Sequence, residues 1–543
     1  MAMPDVSTAR EENMLKAYKQ WLAGAGLGLG AALLTLPAMA QETPKHGGIL
    51  RTVVESEPNT YDCHGTGTSF SLQALAPHYN TLLRFHPDKY PEIIGDLAES
   101  WEVSSDNRTY TFKMRQGVKF HDGSDFDSAD MLATWNKLKS PPEGVISVRQ
   151  GQFAQIEEMS APDPQTFVVT LQEPNPAALA LFANPWNCVY SAEKLAQDPN
   201  WYAKNIDGTG PFEFVEHVSG SHWEAKRFAD YWEKDKPYLD GVRAQFISGA
   251  GVVNALAGNQ VDATLFLISP PDQERLKTLN SDIVFQTGPF NITNFLTFNL
   301  TKAPFDDVKV RQALNLAISR VEGNQILPRV AAIEGYGLYM PPNSIAERTP
   351  EELAKLPGMS QDVAAQREQA KKLLEESGHA GLKLTLLNRN LRQPWEPLGV
   401  FVLDQFRKIG IQADQIQAET PQYFAALQGK TYDIAIDFNN TVSIDPNEVL
   451  VKFMPGNANN YSGLEDPELT KLYKAQTEAA GDGDEKKRAE LVKQIEARML
   501  EQAYFIPMFR SPRTVALQKY VKGWTVPPTT VLNLQLDTVW LDR

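Results

Sequence analysis

The chain has 543 residues, 42% of them hydrophobic and 22% charged, which is the composition of a globular protein. Its 67 acidic residues outnumber 52 basic ones, for a formal net charge of −15. That excess excludes the basic footprint that nucleic acid requires and opposes docking on anionic lipid, and the length predicts two or three domains rather than one core.

At the N-terminus, Lys16 and Lys19 precede the apolar stretch 21–36, and Ala38, Met39 and Ala40 follow it. A positive region, a short apolar run and small residues at the cut predict a signal peptide over 1–40, cleaved near Ala40. Met14 is an alternative start. The run is shorter than the ~20 residues of a membrane span. No cysteine stands at the cut, so the mature chain is expected to be free in the periplasm and not lipid-anchored. The leader carries three residues of each sign, so the mature chain keeps the charge of −15. Cys63 and Cys188 are the two cysteines. In an exported protein they form either one disulfide or two buried free thiols, and pairing requires Cα atoms within roughly 7 Å.

The segments 109–114 and 166–171 alternate apolar and polar residues and predict strands. Asp127 caps a predicted helix carrying Met131, Leu132, Trp135 and Leu138. Ser269 opens another, with Pro270 and Pro271 in its first turn. Further helices are expected over 308–318, 361–376, 398–408 and 485–502, and strands over 382–387, 411–416 and in the tail from Tyr504. The class is α/β with a mixed sheet order, neither a regular barrel nor a doubly wound domain.

The sequence holds no G-x-S-x-G elbow and no phosphate-binding loop, and Gly24, Gly26, Gly28 and Gly30 fall within the leader. His217 and His222 have the wrong spacing for a zinc pair on one helix face, and His121, Asp122 and Gly123 read as a turn. Thiol catalysis by Cys63 beside His64 lacks a third partner. No metal and no cofactor are expected. The 10 Trp, 17 Tyr and 25 Phe exceed what chemistry requires; most belong to the core, and a minority are expected to line a concave site.

Several ordered motifs resemble the family 5 extracellular solute-binding proteins, the dipeptide, oligopeptide and nickel type of ABC importer receptors. They are Leu97 to Val103, Tyr110 to Arg115, Gly117 to Gly123, Gly208 to Phe212, Tyr231 with Trp232, and Tyr238 to Asp240. Phe298 with Asn299, Pro304 to Asp307, Val310 to Leu314, Ala317 with Ile318, Tyr432 to Ile434, and Asp445 with Pro446 continue the series. The resemblance spans the mature chain. It implies a two-lobed, type II-like periplasmic-binding-protein fold of three domains with a hinge between lobes. Domain I would comprise 41–79, 187–293 and 508–543, domain II 80–186, and domain III 294–507. The implied function is trapping a small solute, peptide or otherwise, and delivering it as a monomer to a membrane permease, with no bond made or broken. The resemblance also favours pairing of Cys63 with Cys188. The alternatives are a periplasmic hydrolase on this scaffold, or a chemoreceptor or chaperone-type binding protein.

The resemblance carries expectations about the ligand. Peptide receptors of the family hold the peptide ammonium with an Asp whose position, counted from Asp445 and Pro446, is Val442 here. The oligopeptide type places Arg near Leu427 and Ile436, where this chain has no basic residue. Arg389 and Arg392, in a loop after the strand over 382–387, offer a fork for carboxylate or phosphate, and Trp395 a stacking face. Arg392→Ala is expected to weaken a carboxylate ligand. Asn439, Asn440 and Thr441 are polar after an apolar strand. Gly67, Thr68, Ser69 and Phe70 face the same region in the family, and Trp186 and Phe266 complete the candidate set. The ligand is expected to be a peptide or another small, anionic or aromatic compound.

Overall fold

In a computed structural model, which describes residues 43–543 apart from 458 and 482, the alternating segments are the strands Thr109–Met114 and Thr166–Leu171. Tyr110, Phe112 and Met114 point inward from the first, and Phe167, Val169 and Leu171 from the second. This is the period of two by which a strand presents alternate side chains to one face. The helix Ser128–Lys139 begins as its cap predicts: Asp127 accepts the Ala129 N–H, and the Asp130 side chain accepts the Asp127 N–H. The predicted leader and its cleavage point lie outside the described residues.

The strands form three main sheets. A seven-stranded sheet runs Ile283–Gly288, Arg513–Gln518, Ala263–Thr264, Ile49–Val54, Gly241–Phe246, His222–Arg227 and Phe212–Val218. Its centre is parallel: Ile49–Val54 lies between Gly241–Phe246 and Ala263–Thr264. A four-stranded antiparallel sheet contains Ala98–Val103, Thr109–Met114, Thr166–Leu171 and Ile156–Asp163. The two sheets share one core, in which Leu50, Phe112, Trp135, Phe167 and Val515 are all buried. That common core makes them a first lobe.

The second lobe is built on a five-stranded sheet in the order Gln412–Ala418, Lys383–Arg389, Ile434–Asn440, Ile292–Phe298 and Phe505–Arg510. Both faces are covered. Leu296, Phe298, Leu386 and Ile436 pack under the helices Val308–Ala317, Val363–Glu376 and Trp395–Arg407. Phe295, one residue out of phase, packs with Val492, Ile495 and Met499 of Glu485–Glu501 on the other face.

The chain passes between lobes twice, from Ile283–Gly288 into Ile292–Phe298 and from Phe505–Arg510 into Arg513–Gln518. The crossings are neighbours, because Gly288 pairs with Arg513 and Thr293 with Arg510. Two adjacent strand-to-strand passages make a hinge in which a few residues absorb the rotation. The result is a two-lobed periplasmic-binding-protein fold of mixed α/β order. Among the described residues, no helix is long and apolar enough to cross a membrane.

Cys63 and Cys188 are bonded, with Cα atoms 6.1 Å apart. The bond spans the two ends of the excursion that forms the four-stranded sheet. Beneath it lies a buried charge group: Lys137 Nζ meets Asp62 Oδ2 at 2.6 Å and His64 Nδ1 at 3.3 Å. Gly208 and Gly210 explain the glycines of their motif. A Cβ on Gly210 would lie 2.4 Å from the His78 carbonyl carbon and the Tyr79 nitrogen.

Three predicted boundaries move. Asn388 and Arg389 are the end of a strand rather than a loop, because they pair with Gln417 and Ala418. Asn439 and Asn440 are likewise strand residues, opposite Thr293 and Ile292. The helix expected from Leu398 begins at Trp395, since Trp395, Leu398, Phe401 and Val402 continue one buried stripe.

Candidate functional site

The C-terminal ends of the parallel strands in each lobe meet at one seam, the place where open α/β sheets bind ligands. On the first lobe, Glu55 follows Ile49–Val54 and Phe266 follows Ala263–Thr264. On the second, Arg389 and Asn440 end their strands. Phe266 and Phe438 come from opposite lobes and pack against the same group of Leu267, Phe290 and Ile292. Phe70 lies against Phe266, with ring centroids 4.9 Å apart.

Arg389 is enclosed by rings. Its guanidinium carbon lies 4.7 Å from the Trp395 centroid and 5.5 Å from those of Phe424 and Phe438. Nη2 donates to Thr420 Oγ1 at 3.1 Å, while Nε has no partner. Among the described residues Arg389 makes no ion pair: the neighbouring carboxylate of Asp437 is held by Lys452 at 3.1 Å. Trp395 is 4% exposed and its Nε1 also lacks a partner. Leaving a half-buried guanidinium without an anion, and its Nε and the indole N–H without acceptors, is costly unless something else supplies them.

Arg392 is exposed and reaches across the seam to Asp272, Nη1 to Oδ2 at 3.5 Å. A carboxylate of the first lobe is thus already opposite this arginine. Tyr90 donates to the Val442 carbonyl at 3.1 Å and accepts from Asn291 Nδ2 at 2.8 Å. Asn447 Nδ2 donates to Asn175 Oδ1 at 3.1 Å, also between lobes.

The remaining candidates divide by occupation. Asn439 donates to the Val449 carbonyl, and Thr441 to that of Ser443, so both hold the chain locally. Val442 is buried against the core of the first lobe. Trp186 is buried under Arg149, whose guanidinium carbon is 4.1 Å from its ring. Asn440 and Gly67 are exposed; Thr68, Ser69, Phe70 and Phe266 are half-buried.

Two carboxyls at the seam escaped sequence reasoning. Glu448 is pushed up to about 8 by burial, although the N–H groups of Val442 and Ser443 both donate to it. Glu55 is pushed up to about 7, again by burial. Nothing local in the sequence distinguishes either from a solvated glutamate.

His217 bridges the Tyr61 hydroxyl and Glu57, so it does not pair with His222. His222, Glu216 and Glu224 bring ligand atoms within 4.8 Å of one another, but Arg243 Nη2 lies 3.2 Å from the same ring, a fixed positive charge where a metal ion would sit. A separate concavity lined by Tyr79, Arg84, Leu534 and Asp537 contains none of the candidate ligand residues.

The sequence profile of bacterial extracellular solute-binding proteins, family 5 middle region, matches residues 92–461. The chain belongs to the family 5 extracellular solute-binding proteins. It is 29% identical to the glutathione-binding protein GsiB of Salmonella paratyphi A over 416 residues, 76% of each chain. Against GsiB of Escherichia coli K12 it is 28% identical over 409 residues, covering 74% of this chain and 75% of that one. The fold matches the periplasmic binding protein DppA of Helicobacter pylori, solved with the peptide STSA. The TM-score is 0.80 and the identity 23%, over 92% of this chain and 99% of that one. It also matches AgaA of A. tumefaciens R10, solved with agropinic acid, at a TM-score of 0.79 and 23% identity over 91% and 99%. These family 5 relatives are binding proteins, and this chain is a solute-binding protein of an ABC transporter.

Proposed function

We propose that this protein is the periplasmic receptor of an ABC importer, exported by its leader, acting as a monomer without catalysis. It closes on a small carboxylate-bearing solute and presents it to a membrane permease. The observation that carries the reading of the site is Arg389, a guanidinium walled by aromatic rings at the seam and paired with no carboxylate. Phe70, Phe266 and Asn440 extend the same surface, with Gly67, Thr68 and Ser69 at its rim. The three sheets support three domains, assigned to 41–79 with 187–293 and 508–543, 80–186, and 294–507, except that the second lobe's strands Ile292–Phe298 and Phe505–Arg510 move two of these boundaries to the passages at 289–291 and 511–512. The ligands named for the relatives, glutathione, a tetrapeptide and agropinic acid, all carry carboxyl groups.

The test is a thermal-shift screen of the purified protein across peptides, glutathione, opine-type acids and sugars, with mass spectrometry of each compound afterwards. A ligand at about 100 times its Kd stabilises by roughly 2.7 kcal/mol, which the screen resolves. The expected result is a shift with an acidic compound recovered intact and lost in Arg389→Met. Chemical conversion of a compound, abolished by changing Cys63 or His64, would overturn the receptor reading in favour of a hydrolase.

A further inference from the structure

A desolvated charge is ordinarily matched within the protein, so one left unmatched at a binding seam marks where a partner is missing. Glu55 is such a charge. It directly follows the central parallel strand of the first lobe and is half-buried. Among the described residues it accepts no hydrogen bond and forms no ion pair within 4 Å; the charged groups that face it are Arg392 and Asp272. Arg392 belongs to the opposite lobe and pairs with Asp272. Arg392, whose charge acts on Glu55, is already paired with Asp272, so Glu55 is left without an ion-pair partner of its own.

The second lobe carries the complement. Arg389 is a cation without an anion, with its Nε and the Trp395 Nε1 both unpartnered. Arg389 and Arg392 are three positions apart, so their Cα atoms are separated by at most about 11 Å. Arg389 and the Arg392 that acts on Glu55 thus leave the same strand end, which brings an unmatched cation and an unmatched acid to one stretch of the seam.

We propose that Glu55 selects for a cationic group on the ligand, so that the cleft takes dipolar solutes with an ammonium or guanidinium at Glu55 and a carboxylate at Arg389. The inference rests on the receptor reading of the cleft. It also places the cation receptor on the opposite lobe from Val442. Burial holds the Glu55 carboxyl near pH 7, opposed by Arg392 and reinforced by Asp272. A ligand cation requires the ionised form. Below that pH, binding releases a proton and affinity falls by up to about tenfold per pH unit.

Calorimetry with matched probes decides it: glutathione against N-acetylglutathione, L-Ala-L-Ala against its N-acetyl derivative, and glutarate as an anion lacking any cation. The expected result is that a free-amine compound binds about tenfold or more tightly than its acetylated counterpart, each tenfold being about 1.4 kcal/mol. Glu55→Gln should erase that advantage while retaining the acetylated compound's affinity, and Glu55→Asp should restore part of it. Proton release at pH 6.5, read from buffers of different ionisation enthalpy, should vanish in Glu55→Gln. Equal binding of free and acetylated amines, preference for glutarate, or discrimination surviving in Glu55→Gln overturns the Glu55 assignment and leaves the receptor reading intact. Binding of none of the probes counts against both.

Discussion

The Tyr90 hydroxyl donates to the Val442 carbonyl at 3.1 Å, joining a residue of the first lobe to the loop that leaves the central strand of the second. Asn291, on one of the two hinge passages, donates to the same hydroxyl at 2.8 Å. The bond therefore bridges the lobes beside the hinge, and it is expected to favour the closed arrangement. Tyr90→Phe removes it without changing the ring. A hydrogen bond of this kind contributes about 0.5–1.5 kcal/mol. The expected outcome is a shift of up to about tenfold toward the open form, seen as a larger radius in small-angle X-ray scattering of the ligand-free protein. An unchanged scattering profile would show that closure does not depend on this contact.

The disulfide closes a loop whose ends are 125 residues apart and pins the neck of the four-stranded sheet. Its removal in Cys63→Ser with Cys188→Ser should lower unfolding free energy by about 2–5 kcal/mol, measured by urea titration. The Lys137, Asp62 and His64 group directly beneath should make hydrogen exchange rise in that neck first.

Gly210→Ala tests why the motif needs glycine. The new methyl would sit 2.4 Å from backbone atoms of His78 and Tyr79, which no rotamer change relieves. A loss of about 1–3 kcal/mol or more is expected, read as a lower Tm. Gly117→Ala is the control: a Cβ there meets nothing within 4 Å, and only its left-handed backbone (φ 73°) is strained.

Glu448 sets a pH dependence. Its carboxyl sits at about 8 in the fold against an ordinary value of 4.5, so the native state holds a proton that the unfolded chain has lost. Stability must then fall as pH rises from 6.5 to 8, by at most about 1.4 kcal/mol per pH unit from this group. Glu55 adds to the fall in the same direction. Between about 4.5 and 6.5 His64 and His78, held neutral by burial down to about 3, contribute the opposite slope and offset that of the two glutamates; the histidine slope stands alone only below about 4.5. Glu448→Gln should flatten the curve between pH 6.5 and 8 in urea titrations. An unaltered slope would show that the carboxyl titrates normally.

The elements with strong local signals were legible in the sequence. Thr109–Met114 and Thr166–Leu171 stand where alternation places them, and Asp127 and Ser269 cap the helices they were expected to cap. Boundaries failed where a sheet partner extends a strand through polar residues, as at Asn388, Arg389, Asn439 and Asn440. Ladder hydrogen bonds, not side-chain polarity, decide where a strand stops.

The sequence by itself determined the family, through ordered motifs whose glycines, prolines and caps answer to local geometry. It also singled out arginine and aromatic residues, expected in a loop after the strand over 382–387, as candidates for a ligand site. Only the tertiary structure decided which of them are free. Arg392 is opposed by Asp272 and Val442 is taken into the first lobe's core, whereas Arg389 stays unmatched in its aromatic enclosure. Glu55 stands out only because folding brings Arg392, 337 positions away in the chain, to face it and then commits that arginine to Asp272. The charge of a side chain is written in the sequence, but whether water, a counter-ion or a ligand neutralises it depends on neighbours that the fold alone assembles.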